Sequence, residues 1–285
     1  MPQKTNLIMP NLKHLAFAFF IFVLTQTAYS QLGFSHELGV IAGPVEFRSD
    51  FGGRYEEETN LGNSGIGIGI IHYISFAYSA DCNCYTTDTY FNDHFKLRSE
   101  VSWNLTNLDH HGFWVQPDKV SANADKLRAH KGVAENFDIG MQLEYFPLSI
   151  RSFMAFSPRY APFVSLGVHY TTSSPQANTT YGDADIYNPN NIYSFWYEND
   201  SYLPSIPNGQ QREYPINLEQ QSNWSMVTSI GVRYKLTKLS DLMLDLRWQY
   251  YFSDWIEGFN HKIRKYNKFN DWLIWLNFGY IYYLD

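Results

Sequence analysis

Cysteine is almost missing from this chain. Its 285 residues carry two, Cys82 and Cys84, and no more. Two cysteines cannot staple a small disulfide scaffold, and they fall short of the four ligands a structural zinc site needs. The lone Cys-Asn-Cys leaves a strained local disulfide, free thiols, or metal or redox chemistry open. Charge is sparse as well. Charged residues make up 17% of the chain, with 21 Lys and Arg against 28 Asp and Glu, for a formal charge of −7. That balance argues against nucleic acid as a partner. Past residue 30 no hydrophobic run approaches the about 20 residues of a membrane-spanning helix. Linkers, low-complexity tracts and a clear internal repeat are missing too, so the body of the chain reads as one domain.

The first thirty residues differ from the rest. Lys4, Lys13 and His14 precede an apolar run from Leu15 to Leu24, and Ala28-Tyr29-Ser30 follows. A positive start, an apolar stretch of about 7–15 residues and small residues at −3 and −1 make a secretory signal peptide over residues 1–30. Gln31 then begins the mature chain, and Met9 is an alternative start. A lipoprotein is not expected, because no cysteine follows the cleavage site.

Eight segments alternate with period two, the pattern of a strand with two unlike faces. In the clearest, Phe95, Leu97, Val101, Trp103 and Leu105 oppose Lys96, Arg98, Glu100, Ser102, Asn104 and Thr106. Others run through Ile66–Tyr78, Phe137–Tyr145, Val164–Thr171, Ser225–Leu236, Leu242–Phe252 and Trp272–Leu284, with a weaker one at Glu37–Gly43. They are longer than the five or six residues usual in soluble sheets, and a tilted membrane strand needs about 9–11. Aromatics such as Tyr78, Trp103, Tyr145, Tyr170, Trp248, Phe252, Trp272 and Tyr282 sit toward strand ends, as an interfacial girdle would. The connections alternate in length: about 48–63, 108–132, 172–222 and 254–269 on one side, and 79–92, 148–160 and 237–241 on the other. The expectation is all-β: an antiparallel, up-and-down transmembrane barrel of about eight strands over residues 31–285. Its long extracellular loops lie opposite shorter periplasmic turns.

The signal peptide, the amphipathic strands and the aromatic last strand resemble the small OmpA/OmpX/OmpW-type outer-membrane barrels. Asn92–Glu100 and Gly140–Leu148 also resemble an outer-membrane family of Bacteroidota. The resemblance implies a fold and an outer-membrane address and brings no catalytic residue. Such barrels often end on an aromatic residue, whereas this chain ends Tyr282-Tyr283-Leu284-Asp285.

The chemistry worth weighing is enclosed. By parity, Glu37, Lys96, Arg98, Glu100, Asp138, Glu144, Arg233, Lys235, Asp245 and Arg247 face the lumen. Isolated buried charges are costly, so these should pair into a network that fills a narrow barrel. The alternative is a narrow polar pore. Gly65-Ile66-Gly67-Ile68-Gly69 has the wrong spacing for a dinucleotide-binding turn and reads as a small-residue stripe on one strand face. His72 and Ser75 fall on opposite faces, so they do not form one nucleophilic site. Asp109-His110-His111 is a poor metal site, because adjacent histidines on an extended chain diverge. The long connection 172–222 carries Tyr193, Phe195, Trp196, Tyr197 and Tyr202, and reads as a recognition surface or as a lid over the mouth. Ser121–His130 reads as one short helix capped by Ser121 and ended at Gly132.

Three functions follow from three classes. The first is a non-enzymatic barrel with a structural or surface-interaction role. It would meet outer-membrane lipid, and envelope proteins or surface glycans through loop 172–222. The second is a pore for small solutes, and the third a barrel-borne lipid-modifying hydrolase. No cofactor, metal or catalytic residue is expected.

Overall fold

The computed structural model describes residues 34–52, 62–76, 90–196, 214–261 and 269–284. Residues 1–30, Cys82, Cys84, Tyr197 and Tyr202 lie outside them, as do the expectations that rest on them. Eight long strands form the wall: β1 (Ser35–Arg48), β2 (Ser64–Ser75), β3 (Phe95–Asp109), β4 (His130–Tyr145), β5 (Tyr160–Ser173), β7 (Gln221–Thr237), β8 (Ser240–Tyr251) and β9 (Trp272–Tyr283). Each pairs antiparallel with its neighbours in sequence. The first and last close the ring, with Val40 opposite Tyr280. Closure leaves none of these strands as a bare edge, which is what hydrocarbon requires of a sheet.

A ninth element, β6 (Gln176–Thr179), corrects the expected loop. It pairs with the start of β4 in the same register that β5 uses farther along, Gln176 facing Val133 as Ser173 faces Asn136. β5 and β6 are therefore one strand interrupted at Ser174-Pro175, where proline supplies no N–H to the ladder. The connection expected from Thr172 begins only after Thr179. β4 likewise starts at His130, ahead of the alternation that marks it from Phe137. Here the outward residues Lys131 and Glu135 are polar. Both faces then look alike in sequence, and the strand signal is lost.

Helix α2 (Ala122–Ala129) is capped as expected, with Ser121 Oγ accepting the Ala124 N–H at 3.2 Å. It ends before His130 and not at Gly132, because His130 is already extended and opens β4. Two short helices, α1 (Tyr90–His94) and α3 (Ile150–Met154), precede β3 and β5. They pack near each other at the end of the barrel that holds the first and last strand termini. Asp93 accepts the Arg151 N–H there at 3.0 Å.

The inward face is mixed. On β1, β2 and β9 it carries Ile41, Val45, Phe47, Ile71, Leu273, Trp275 and Ile281, all buried. The charged residues come mainly from β3, β4, β7 and β8. Glycines make room for large neighbours across this narrow space. A side chain at Gly67 would overlap the Trp275 indole, one at Gly140 the His169 ring, and one at Gly231 the Phe163 ring.

Candidate functional site

Odd positions of β1 and even positions of β3 and β4 point inward, as do odd positions of β7 and β8. This parity brings Glu37, Lys96, Arg98, Glu100, Asp138, Glu144, Arg233, Lys235, Asp245 and Arg247 into one enclosed space, each nearly or fully buried. Lys96 Nζ contacts Glu37 Oε1. The other Glu37 oxygen accepts from Arg233 Nη1 at 2.6 Å, and Arg233 Nη2 reaches Glu144 at 3.4 Å. Glu144 also meets Arg98 at 3.4 Å and accepts the Tyr73 hydroxyl at 3.0 Å. Arg98 donates to Asp245 at 2.9 Å and lies 2.8 Å from Glu100 without hydrogen-bond alignment. Arg247 grips Glu100 with both terminal nitrogens, each at 2.6 Å. One connected network thus crosses the lumen from β1 through β3, β4 and β7 to β8. Three buried carboxylates, Glu37, Glu144 and Glu100, each link two bases (Lys96 with Arg233, Arg98 with Arg233, Arg98 with Arg247).

Sequence parity misses one member. Asp241 is buried at the first turn of β8, takes the Tyr283 hydroxyl at 2.6 Å and lies 3.2 Å from Lys235 Nζ. The alternation alone places it in the turn 237–241. With it the enclosed groups are six acids and five bases. Asp138 is the acid held by neutral groups: Thr171 Oγ1 at 2.5 Å, Gln249 Nε2 at 2.8 Å and Asn104 Nδ2 at 3.3 Å. Aromatic faces support the cations. Arg233 sits 4.0 Å over Tyr73, Lys235 3.7 Å over Tyr283 and Arg247 4.9 Å over Trp275. Cation–π contacts of this kind stabilise a desolvated charge.

The outward face is apolar, with Ile70, Leu166, Leu246 and Ile230 more than two-fifths exposed. Aromatic belts bound it. Phe34, Phe76, Phe91, Phe95 and Tyr145 form a chain of ring contacts at the terminal end, each step between 4.8 and 5.9 Å. At the far end Tyr170 meets Trp224 at 5.3 Å and Trp248 meets Trp272 at 6.4 Å, with Arg48 over Trp272 at 4.7 Å. On β9 the span from Trp272 to Tyr282 is ten steps of about 3.3 Å, or about 25 Å of height at a tilt of about 40°. That equals the apolar band of an outer-membrane barrel, about 25 Å tall between aromatic girdles. A polar, charge-paired inside and a lipid-facing outside of this height make the chain a transmembrane barrel of the outer-membrane type.

Above the far girdle β3, β4 and β6 continue past the lipid. Trp103 Nε1 donates to Glu135 at 2.9 Å, and Lys131 pairs with Asp109 at 2.9 Å beyond it. A cap covers the mouth. Trp196 is buried in it at 4% exposure, and Tyr193 and Phe195 are partly buried against the same cluster. The inward packing of Trp196 follows from its 4.3 Å contact with Phe259, itself fully buried. His110 belongs to this cap. Among the described residues no three His, Cys, Asp or Glu gather as metal ligands.

On the lipid face His36 and His72 lie 3.1 Å apart, and Ser99 is paired opposite His72. Their outward neighbours Leu38, Ile70, Ile74, Leu97 and Val101 are apolar.

No family model matches the chain and no curated relative matches it, so the likeness to a Bacteroidota family stays a resemblance. Solved structures do match. Neisserial surface protein A is similar at 14% identity, covering 88% of this chain and 98% of that one, with a TM-score of 0.40. A major outer membrane protein from Thermus thermophilus is similar at 14% identity, covering 88% and 99%, with a TM-score of 0.39. Ail, the attachment invasion locus protein of Yersinia pestis, solved with the heparin analogue sucrose octasulfate, is similar at 9% identity, covering 87% and 99%, with a TM-score of 0.37. These are likenesses of fold. The membrane assignment stands on the girdles and the enclosed charges of this chain.

Proposed function

We propose that this protein is a non-enzymatic outer-membrane barrel with a closed lumen, serving a structural or surface-interaction role. The network from Glu37 through Arg233, Glu144 and Arg98 to Asp245 carries that reading. An eight-stranded barrel has room for side chains and little more, and here charged side chains bridge that room from several strands. The long connections lie outside the cell and both strand termini lie toward the periplasm, after removal of residues 1–30 as a signal peptide over a barrel domain of residues 31–285. Outer-membrane lipid surrounds the belt. Envelope proteins or surface glycans are met through the connection that follows β6, where Tyr187 is exposed, and through Phe113 and Trp114 on the β3–β4 connection. Conductance of the purified protein in a planar bilayer tests the closed lumen. Little steady current is expected. A stable, ion-selective channel would overturn the plug and place transport of small solutes first.

A further inference from the structure

The cap over the far mouth is built on a cluster of rings from four connections and the start of β4. Phe51 packs against both His110, at 4.9 Å and 24°, and His130, at 4.8 Å and 15°, whose own rings are 5.1 Å apart. Phe259 meets Phe51 edge-on at 5.6 Å and Trp196 at 4.3 Å.

Hydrogen bonds fix the protons of the two imidazoles. The backbone N–H of Gly52 donates to His110 Nδ1 at 3.0 Å. A ring nitrogen that accepts a hydrogen bond carries no proton, so His110 is neutral and holds its proton on Nε2. That nitrogen faces His130 Nδ1 at 2.9 Å. His130 Nδ1 is then an acceptor as well, and His130 is neutral with its proton on Nε2. The chain runs one way, from Gly52 to His110 to His130. A second proton can enter either ring only at Nδ1, and both Nδ1 atoms are occupied by donors. On His110 it would expel the Gly52 N–H. On His130 it would set one N–H against another.

We propose that this chain is an acid-sensitive latch: neutral His110 and His130 hold the cap shut, and protonation of the pair releases it.

The surroundings favour the neutral state. Burial, and the neighbouring His130, His261 and His111, hold His110 well below its ordinary value of 6.5. The cap carboxylates take backbone N–H groups: Asp50 that of His261 at 3.3 Å, Glu257 that of Asp50 at 2.9 Å, and Asp271 that of Ile256 at 3.2 Å. Burial, with the Asp254 charge adding to it, pushes Glu257 up. Asp109, next to His110 in sequence, is bound to Lys131. An opened cap binds protons more readily than the closed one below 6.5. The closed state is therefore fully favoured above that value and loses ground as the pH falls toward the lower value of the buried ring. The latch is a property of the folded cap and holds whatever the cap meets outside.

Hydrogen exchange on the full chain, folded in detergent micelles, tests it. Exchange would be followed by mass spectrometry from about pH 8 to about pH 4.5 and corrected for the intrinsic rate. Peptides covering 49–52 and 256–261 should lose protection by at least about tenfold on the acid side, reversibly, while β8 and β9 keep theirs. His110→Gln retains an acceptor for Gly52 and a donor for His130 and leaves His130 as the one titrating ring of the chain, so its cap should lose protection less steeply with falling pH than the natural chain does. Unchanged protection in the natural chain down to about pH 4.5, or an equally steep loss in His110→Gln, would overturn the latch. Should that variant not fold, histidine 13C signals of the natural chain decide. Titration of cap histidines at the midpoint of opening supports the latch, and opening without such titration refutes it.

Discussion

The indole of Trp275 lies against the bare backbone of Gly67, two strands away across β1. The ring is fully buried and stacks under the Arg247 guanidinium. Gly67, the middle glycine of the stripe on β2, is thus the space that a tryptophan occupies in a lumen too narrow for both side chains.

Gly67→Ala should therefore destabilise the barrel. An overpacked site costs about 1–3 kcal/mol, and here the obstacle is a ring held on both sides. Urea unfolding in detergent, followed by the loss of the fast-running unheated band on gels, reads the change. Trp275→Leu removes the obstacle, so the double variant should lose less than the two single losses added together. Strict additivity would mean that the two residues do not share this space.

The strands were legible because apolar and charged residues alternate along them, as Phe95, Lys96, Leu97 and Arg98 do on β3. The enclosed charges followed from the same parity. Asp241 escaped because the β7–β8 turn is only two residues long and the aspartate sits on its edge. Asn107, Lys131 and Glu135 hid the upper parts of β3 and β4, since polar residues stand on the outside once a strand leaves the lipid. The inward Ile71 and Trp275 were on the polar face by parity, yet nothing in their spacing says that part of the lumen is apolar. The cap was least legible. Phe51, His110, Trp196 and Phe259 come from four connections, and contacts that distant in sequence leave no period to read.

The lipid face gives a prediction about orientation. Leu246 points outward in mid-belt, and its neighbour Arg247 points in. Leu246→Arg should cost about 2–4 kcal/mol, the range for arginine at mid-membrane in such barrels. Leu239→Arg, at the exposed β7–β8 turn, should cost little. Refolding yield into vesicles would compare the two. Equal tolerance would mean that Leu246 does not face lipid.

The connection after β6 should respond to acid in a different range from the cap. Asp183 accepts hydrogen bonds from the side chains of Asn191 and Asn188, which hold its carboxyl below the ordinary 3.8. A depressed acid stabilises the folded loop above its unfolded value and loses that effect as the pH falls through the lower, folded one. Amide exchange over 185–191 should therefore accelerate only below about pH 4. Asp183→Ala should show the faster exchange at neutral pH. If the variant matches the natural chain there, the carboxylate does not order the loop.

The strongest test of the lumen uses the pair with the best geometry. Arg247 and Glu100 are joined by two bonds of 2.6 Å between fully or nearly fully buried groups. Two views of such a pair make opposite forecasts for its removal. Loss of one partner leaves an uncompensated buried charge, which costs about 3–5 kcal/mol, less to the extent that water enters. Loss of both, with apolar residues of similar size in their place, is often neutral. Arg247→Met alone should accordingly be severe, and Arg247→Met with Glu100→Leu should recover much of the loss. Recovery should stop short of complete, because Glu100 also lies 2.8 Å from Arg98. Arg98 in turn keeps Asp245 and Glu144, so it is not stranded by the double change. Unfolding free energies of the two single variants and the double variant measure this cycle. If the double variant is as unstable as both singles combined, the pair is not coupled and the lumen is wet enough to screen each charge separately. In that case a solvated channel, and not a plug, would describe the interior.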